Sequence, residues 1–409
     1  MFLPRGLADA CLAASKQFPV LLLTGPRQVG KTTLLRSLAG RERNYVTLDD
    51  PALRALARTD PALFLQRFEA PLLIDEIQYA PELLPLIKIA VDAAPAKKRP
   101  SYWLTGSQQF RLMKGISETL AGRVAILNLL GLSLRERHRA VLDVPPFVPT
   151  STLLSRRGED MPKLGLKRVF SEIWVGSFPA IVTRAVRDRD LFYSSYLQTY
   201  LQRDVKDLAQ VGDEAAFLRF LKACAARTAQ LLNLSELARD VDIAVNTAKS
   251  WLSILQASFQ VMLVPPYSTN VTQRLVKMPK VYFLDTGLCA YLTEWSSPST
   301  LEAGAMSGAI FETFAFTEVL KSWWHRGKQP SLYHYRDKDG REIDLLLLRD
   351  RSIHPIEIKK SASPRAEWVR DFATLERMKP ASVEGGVLCL CPELLPLTRK
   401  ASAIPLRFV

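Results

Sequence analysis

The feature that most constrains this chain is the segment Gly25–Thr32, where two glycines and a Lys-Thr pair stand at the spacing G-x-x-x-x-G-K-T. Glycines let a loop curl tightly enough for its backbone N–H groups to point inward at a polyphosphate. Lys31 can then reach the terminal phosphates, and the Thr32 hydroxyl can contact Mg²⁺. A helix that begins here would also point the positive end of its dipole at the same anion.

Both flanks of this segment fit a phosphate-binding loop. Val20–Leu23 is a short apolar run of the kind that forms a buried parallel strand, and Thr32–Ala39 has helical spacing. A glycine turn that matches the pattern by chance would lack this order of strand, loop and helix. The residues expected to contact the nucleotide are Gly25, Pro26, Arg27, Gln28, Val29, Gly30, Lys31, Thr32 and Thr33.

A second apolar run, Pro71–Ile74, ends in the two carboxylates Asp75 and Glu76. Downstream of a phosphate loop this is the Walker B arrangement, in which Asp75 helps to hold Mg²⁺ and Glu76 can orient and polarise the attacking water. Elsewhere, two acids at a strand end would indicate a solvated turn. The pair therefore predicts hydrolysis of the nucleotide, with ATP and Mg²⁺ as cofactors.

Further polar residues could complete this site. The run Ser101–Leu104 predicts a third strand, after which the hydroxyl of Ser107 or Thr105 could sense the γ-phosphate; the alternative is an ordinary turn. Arg123 follows a glycine at the end of a predicted helix, where it could neutralise transition-state charge, often across a subunit boundary, or could cap the helix. Arg203, in a polar part of another predicted helix, could also face the nucleotide.

Charge and cysteine content narrow the class of protein. The 409 residues include 55 Lys+Arg against 41 Asp+Glu, and the resulting net charge of +14 favours an anionic partner such as nucleic acid. Five scattered cysteines argue against a disulfide framework, so a reducing cytoplasm is the expected location. The sequence shows no signal peptide, and no run approaches the ~20 apolar residues of a membrane span.

Patterns along the chain predict four regions. Strands alternate with helices over residues 1–140, which predicts an α/β ATPase domain with a mainly parallel sheet. Clustered prolines in 141–164 predict a linker. Residues 165–300 predict a helical region that includes a winged helix-turn-helix at 234–285. Its second helix offers only one cation, Lys249, so a structural or protein-binding winged helix fits as well as a direct DNA reader.

The fourth region, 301–409, carries a second chemical signature. Two apolar strands are separated by a polar turn; the first contains Asp344, and the second ends in Glu357-Ile-Lys359. If the turn centres on Asp350-Arg351, Asp344 lies directly opposite Glu357, and side chains two residues apart share a face. Two carboxylates can hold a divalent cation, and a lysine can stabilise the attacking water or the phosphoryl charge.

Two more acids bear on this second site. Glu312, in the predicted helix Phe311–Trp323, is an optional third ligand. Glu342 would lie opposite Lys359, where the two could form an ordinary cross-strand ion pair and leave Asp344 as a solvated strand acid. Exposed pairs of that kind contribute little stability, so they explain poorly why charges interrupt such apolar strands. The pattern favours the geometry of a metal-dependent nuclease and leaves cleavage itself open.

With these motifs assembled, the chain resembles a large prokaryotic family that joins an AAA+-type ATPase to a C-terminal domain of unknown function related to PD-(D/E)xK nucleases. The resemblance covers nearly the whole chain. The motifs that carry it are Gly25–Thr32, Leu72–Glu76, Thr105–Ser107, Leu120–Arg123, Tyr200–Val205, and Gly340–Asp344 with Glu357–Lys359. It implies an AAA+-like parallel sheet, then a helical and winged-helix region, and a C-terminal α/β domain of the restriction-endonuclease type.

The resemblance also implies roles for individual residues. The ATPase roles fall on Lys31, Thr32, Asp75 and Glu76, with Ser107 as sensor and Arg123 as arginine finger or sensor. The nuclease-like positions fall on Asp344, Glu357 and Lys359.

Three functions are consistent with these features. The leading one is a Mg²⁺-dependent ATPase that acts on duplex or branched DNA, as in recombination or repair, and could work as a homo-oligomer. The second is an ATP-switched module that binds a protein partner and carries an inactive nuclease-like domain. The third is an active, metal-dependent DNA nuclease.

Overall fold

A computed structural model describes residues 3–95, 100–106, 116, 118–158, 160–201, 213–268, 278–377, 381 and 383–409. These form two compact units. The N-terminal unit contains Pro4–Gly131 and Trp324–Gly327, so it ends short of the predicted boundary at residue 140. The C-terminal unit contains Leu132–Trp323 and Lys328–Val409.

The N-terminal unit is built on a parallel sheet of five strands in the order β2-β3-β4-β1-β5. The strands are β1 (Val20–Thr24), β2 (Asn44–Thr47), β3 (Leu72–Asp75), β4 (Tyr102–Gly106) and β5 (Val124–Asn128). All five residues of β1 are buried, as expected for a central strand of a parallel sheet. Because parallel strands run in one direction, the carboxyl ends of β1, β3 and β4 meet at one edge of the sheet.

Several helices of the described residues accompany this sheet. They are α1 (Ala8–Gln17), α2 (Lys31–Leu38), α3 (Pro51–Thr59), α4 (Pro61–Arg67) and α5 (Leu83–Ala93). Two of them begin with an aspartate followed by proline: Asp50 caps α3 and Asp60 caps α4 through their side chains. Such a proline has the φ angle that a first helical residue needs and lacks only an N–H that would have no partner inside the helix. The local Asp-Pro sequences therefore determine where α3 and α4 begin.

The C-terminal unit contains the remaining helices and two sheets. Its helices are α6 (Leu134–His138), α7 (Ser151–Leu154), α8 (Leu166–Val175), α9 (Pro179–Val182), α10 (Arg189–Tyr200), α11 (Glu214–Ala226), α12 (Leu234–Asp240), α13 (Val245–Ala257), α14 (Thr286–Leu292), α15 (Pro298–Ala303) and α16 (Ser307–Trp324). The small sheet is antiparallel, in the order β6-β8-β7, from β6 (Gln230–Leu231), β7 (Val261–Val264) and β8 (Lys280–Phe283).

The larger sheet of this unit is mixed and has six strands in the order β13-β14-β12-β11-β10-β9. The strands are β9 (Ser331–Arg336), β10 (Glu342–Arg349), β11 (Ser352–Ile358), β12 (Gly385–Cys389), β13 (Leu395–Pro396) and β14 (Ala401–Pro405). The antiparallel β10–β11 hairpin, which contains the predicted acid site, lies inside the sheet. The chain is therefore α/β, with a parallel sheet in one unit and a mixed sheet in the other.

The proline-rich stretch 141–164 differs from the predicted linker, because it packs within the C-terminal unit. The Arg157 side chain is buried and its Nε donates a hydrogen bond to the Phe408 carbonyl across 2.7 Å. Its terminal nitrogens donate to the carbonyls of Pro145 and Val409. Arg135 in turn donates to the Arg157 carbonyl at 2.7 Å. A buried guanidinium that binds several carbonyls holds this stretch in place, which clustered prolines alone do not indicate.

Two expectations lie outside the described residues, those for Ser107 and Arg203. Over the described ranges, no helix has both the length and the apolarity that crossing a membrane requires. The cytoplasmic location stays a prediction.

Candidate functional site

The loop after β1 takes a shape that depends on its two glycines. Gly25 has a φ of 147°, and a side chain there would overlap the Leu129 carbonyl. Gly30 has a φ of 90° and directly precedes α2. Both values lie in the region that favours glycine, so any other residue would strain the loop. The glycines therefore allow the loop to close on itself at the carboxyl edge of the sheet.

The side chain of Lys31 lies inside this loop. It is 6% exposed, and its Nζ donates to the carbonyls of Gly25 at 3.0 Å and Pro26 at 2.7 Å. The ammonium is thus held against the curled backbone, where a phosphate group would compete for it. The role of Lys31 in binding phosphate stays a prediction.

Thr32 and Asp75 lie side by side, although 43 positions separate them in the chain. The Thr32 hydroxyl donates to Asp75 Oδ1 across 2.6 Å, and the Thr105 hydroxyl donates to the same oxygen. The Tyr45 hydroxyl reaches Asp75 Oδ2 at 3.3 Å. A hydroxyl and a carboxylate are ligands that Mg²⁺ accepts, so the donor set fits this ion. Thr105, one of the two sensor candidates, is tied to the Walker B acid.

Glu76 follows β3 with a φ of 59°, an uncommon conformation for a residue other than glycine. Its backbone N–H donates to the Thr105 hydroxyl at 3.1 Å. Its carboxylate accepts a hydrogen bond from the side-chain amide of Gln78, which is itself buried. Gln78 was not predicted as a site residue, because nothing in the sequence distinguishes it from the apolar residues around it.

Arg5 is a second residue that the sequence analysis missed. Its guanidinium is buried, and it donates to the Val29 carbonyl at 2.7 Å and to the Leu130 carbonyl at 2.7 Å. It therefore connects the phosphate loop to the segment that follows β5. A lone arginine near the start of a chain gives no signal of this role, because both of its partners are distant in sequence.

Arg123 lies at the opposite edge of the sheet from the loop. It precedes β5, whose first residue, Val124, is in register with Val20, whereas the loop follows Thr24. At about 3.3 Å per strand residue, this places Arg123 roughly 15 Å or more from the phosphate loop of its own chain. Its guanidinium donates to both carboxylate oxygens of Asp92, at 2.5 and 2.9 Å, and this bond raises the pKa of Arg123.

The acid site of the C-terminal unit has the expected hairpin. The turn lies at Asp350-Arg351, where both residues have positive φ, and Leu345 pairs with Ile356, a register that sets Asp344 opposite Glu357. Lys359 Nζ lies 3.1 Å from Glu357 Oε2 and 3.5 Å from Asp344 Oδ2. Two carboxyl groups and one ammonium therefore converge.

The pKa values of Asp344 and Glu357 shift in opposite directions. Burial and the charge of Asp344 raise the pKa of Glu357 to about 10. Burial alone would raise the pKa of Asp344 too, but a hydrogen bond from Glu357 and the nearby charges of Lys280 and Lys359 lower it to about 2. The pair thus holds one proton, on Glu357, because two adjacent buried carboxylates repel each other.

Lys280 enters this site from β8; from the sequence it was predicted only as part of the winged helix-turn-helix at 234–285. Its Nζ lies 2.8 Å from Glu342, 3.2 Å from Glu312 and 3.4 Å from Asp344, and the side chain is 3% exposed. Glu342 therefore forms an ion pair with Lys280, whereas the sequence suggested an ion pair with Lys359. A lysine among the apolar residues of a short strand was the available signal, since a buried ammonium requires a negative partner.

Glu312 in α16 also joins this cluster. It accepts a hydrogen bond from the Tyr282 hydroxyl at 2.6 Å. Burial and the charge of Asp344 raise the pKa of Glu312 to about 7, against the lowering effect of Lys280. Within the described part of the chain, no three His, Cys, Asp or Glu side chains form a group that could hold a metal ion. The expected ligands Asp344 and Glu357 share a proton and face ammonium groups, so as arranged they do not fit a divalent cation.

Comparison with protein families divides the chain into three matched segments. Residues 17–138 match an AAA domain. Residues 167–299 and 307–409 match two domains of unknown function, DUF8612 and DUF4143. The first segment lies largely within the N-terminal unit, and the last contains the acid site on β10 and β11.

Two curated relatives match most of the chain. They are "Uncharacterized protein Mb2031c" of Mycobacterium bovis and "Uncharacterized protein Rv2008c" of Mycobacterium tuberculosis. Each is 30% identical over 363 residues, which are 88% of this chain and 74% of the relative.

Similar solved structures include ATPases. The Walker-type ATPase PABY2304 of Pyrococcus abyssi has a TM-score of 0.44 at 15% identity and covers 71% of this chain and 96% of its own. A RuvB variant of Thermotoga maritima scores 0.31 at 17% identity, with coverage of 64% and 91%. The Orc1 protein of Aeropyrum pernix in complex with DNA scores 0.27 at 16% identity, with coverage of 72% and 92%. At such scores these likenesses carry no argument about function.

Proposed function

Because the chain belongs to the family of Mb2031c and Rv2008c, and its N-terminal unit is an AAA domain with a P-loop ATPase site, we propose that it hydrolyses ATP with Mg²⁺ and uses this reaction to act on DNA. The observation that carries the first part is the hydrogen bond between Thr32 and Asp75. It sets a phosphate-loop hydroxyl beside the Walker B carboxylate, where one Mg²⁺ ion would contact both and would neutralise phosphate charge.

The remaining groups of this site have separable tasks. Lys31 exchanges its two carbonyl partners for phosphate oxygens when ATP binds. Glu76 orients the attacking water and accepts its proton once the carboxylate leaves the Gln78 amide. The Thr105 hydroxyl bonds both the Asp75 carboxylate and the Glu76 backbone N–H, and so fixes their positions relative to each other. Arg5 stabilises the phosphate loop through its hydrogen bond to the Val29 carbonyl.

We assign Arg123 to the nucleotide of a neighbouring subunit. It lies at the far edge of the sheet from the phosphate loop of its own chain, so it cannot reach that loop. Its side chain is 33% exposed and is held by Asp92, which is itself on the surface. An arginine in such a position can complete a site only on another molecule, and the proposal therefore includes a homo-oligomer.

The DNA part of the proposal is supported by the net charge of +14. We interpret α11–α13 and the β6-β8-β7 sheet as a winged helix that has a structural role. The exposed face of α13 offers Lys249 as its cation, and the acids Glu236 and Asp242 are exposed nearby. The β8 strand, which would belong to the wing, directs Lys280 into the C-terminal acid site. Phosphate contacts are therefore expected elsewhere on the surface.

ATP turnover measured with and without linear, forked and four-way DNA tests this proposal. We expect at least one of these DNAs to stimulate hydrolysis and to shift in a gel at low salt. The Glu76→Gln protein should bind both ATP and DNA and hydrolyse no ATP. Equal turnover with every DNA, together with no gel shift, would contradict the action on DNA and leave the ATPase assignment in place.

A second candidate function concerns the C-terminal unit, which we propose to bind a partner without cutting DNA. The supporting observation is that Lys280 and Lys359 occupy the carboxylates that a nuclease would use for its metal ion. Incubation of the protein with DNA and Mg²⁺ or Mn²⁺ should give no cleavage. Cleavage that disappears in Glu357→Ala, while ATP hydrolysis persists, would show that this unit is instead an active nuclease.

A further inference from the structure

The acid site of the C-terminal unit is closed by a cation from another part of the fold. Lys280 comes from the small sheet, whereas Asp344 lies 64 positions later on the large sheet and Glu312 lies on α16. The Lys280 ammonium is within 3.4 Å of Glu312, Glu342 and Asp344. Its side chain is 3% exposed, so solvent contributes little to balancing the charge of the ammonium itself.

Burying charged groups costs free energy unless positive and negative groups lie next to each other. A buried ammonium needs negative partners, and Lys280 Nζ has three carboxylates within 3.4 Å. Conversely, removing the Lys280 ammonium would leave Glu312, Glu342 and Asp344 close together with Lys359, 3.5 Å from Asp344, as the remaining ammonium beside them, which is unfavourable where Asp344 is buried. The acids would then have to take up protons or another cation.

The carboxylates are also held in place independently of Lys280. The Tyr282 hydroxyl donates to Glu312 at 2.6 Å, and the backbone N–H of Ile358 donates to Asp344 Oδ2 at 2.9 Å. Tyr282 is fully buried and stacks on Phe316 with ring centres 4.0 Å apart, so its hydroxyl has little freedom. Glu312 and Asp344 therefore keep these partners when the ammonium is removed, so both carboxylates stay available to another cation.

We propose that β8 inserts Lys280 into the acid site as a built-in cation that excludes divalent metal ions, and that the site accepts one such ion only when this ammonium is removed or withdrawn. The contact is autoinhibitory: the same acids that would support metal-dependent chemistry are neutralised by the chain itself. This inference goes beyond the proposed ATPase and does not depend on it, because it concerns residues of the C-terminal unit alone.

Titration of the full-length protein with Mn²⁺, without nucleotide, tests the proposal by calorimetry. Lys280→Met removes the charge and keeps the length of the side chain, and Lys280→Arg is the matched control that keeps the charge. We expect Lys280→Met to gain one Mn²⁺ site, at least about tenfold tighter than any binding by the wild type, because a like charge at hydrogen-bond distance is gone. The double variant Lys280→Met/Asp344→Asn should lose it.

Thermal unfolding provides a second measurement. Mn²⁺ should raise the melting temperature of Lys280→Met more than those of the wild type and Lys280→Arg, which share the ATPase site and differ only at the acid site. A folded Lys280→Met protein that binds no Mn²⁺ would overturn the proposal, because its acids would then have taken up protons instead. Lys280→Gln repeats the test if Lys280→Met does not fold. If neither variant folds, the Mn²⁺ titration of the wild type gives the test. Binding of Mn²⁺ by the wild type that Asp344→Asn abolishes would show that Lys280 does not exclude the ion from the acid site.

Discussion

The hydroxyl of Thr32 donates a hydrogen bond to Oδ1 of Asp75 across 2.6 Å. This contact joins the first turn of α2, which begins at the phosphate loop, to the end of β3, which carries the Walker B acid. It brings together a hydroxyl and a carboxylate, the donor pair that the proposed Mg²⁺ site requires.

Lys31→Ala should reduce ATP turnover ~100-fold or more, because a buried ammonium aimed at the phosphates is lost. The matched control is Lys16→Ala, which removes an exposed lysine from α1. Turnover is measured at saturating ATP and Mg²⁺ for both proteins. A Lys31→Ala protein as active as the control would refute the assignment of the phosphate loop.

Thr32→Val keeps the shape of the side chain and removes the hydroxyl that contacts Asp75. We expect the Mg²⁺ concentration required for half-maximal ATP hydrolysis to rise at least ~10-fold, since metal sites lose at least this much affinity when even a supporting group is removed. Thr59→Val, at an exposed position in α3, is the control and should keep the wild-type Mg²⁺ dependence. An unchanged requirement in Thr32→Val would show that Thr32 does not contact the ion.

Gln78→Leu should raise ATP turnover in the absence of DNA by about two- to tenfold. The change removes the amide that binds the Glu76 carboxylate, and one hydrogen bond is worth about 0.5–1.5 kcal/mol. Initial rates of ATP hydrolysis for the wild type and Gln78→Leu give the ratio directly. A fall in turnover would mean that Gln78 positions the base productively instead of restraining it.

Arg123→Ala should bind ATP normally and hydrolyse it about 10³-fold more slowly, as expected when an arginine finger is lost. An equimolar mixture of Arg123→Ala and Lys31→Ala should regain part of the activity that each lacks, because an intact loop on one chain would meet an intact arginine on the other. Turnover of the mixture is compared with the sum of the two separate proteins. No gain in a mixture that forms mixed oligomers would argue that Arg123 does not act across subunits.

Lowering the pH should destabilise the protein partly through His334. Burial lowers the pKa of His334 to about 4, and among the described residues its Nδ1 has no hydrogen-bond partner. Because the pKa in the folded state lies below the ordinary value near 6.5, this residue favours folding above that pH, and the benefit is lost as the pH falls toward 4.

The size of this effect follows from about 1.4 kcal/mol per pH unit. Between pH 7 and pH 5, the wild type should lose about 2 kcal/mol more unfolding free energy than His334→Gln, which cannot titrate. Urea unfolding of both proteins at the two pH values measures the difference. Parallel losses in the two proteins would show that His334 titrates normally in the folded state.

The sequence determined the phosphate loop, the Walker B acids and the β10–β11 hairpin, because each depends on neighbouring residues. Gly25 and Gly30 set the loop through their own φ angles, and the turn at Asp350-Arg351 sets the register that places Asp344 opposite Glu357. Local backbone geometry is encoded by a few adjacent residues, so a pattern can reveal it.

Which charges meet depends on how the whole chain folds. Arg5 reaches Leu130 over 125 positions, and Lys280 reaches Asp344 over 64. Electrostatic interactions depend on distance in space and on burial, and neither can be read from spacing along a chain. The sequence therefore predicts a pair of acids suited to a metal ion. In the folded chain, the Lys280 ammonium lies beside these acids in place of that ion.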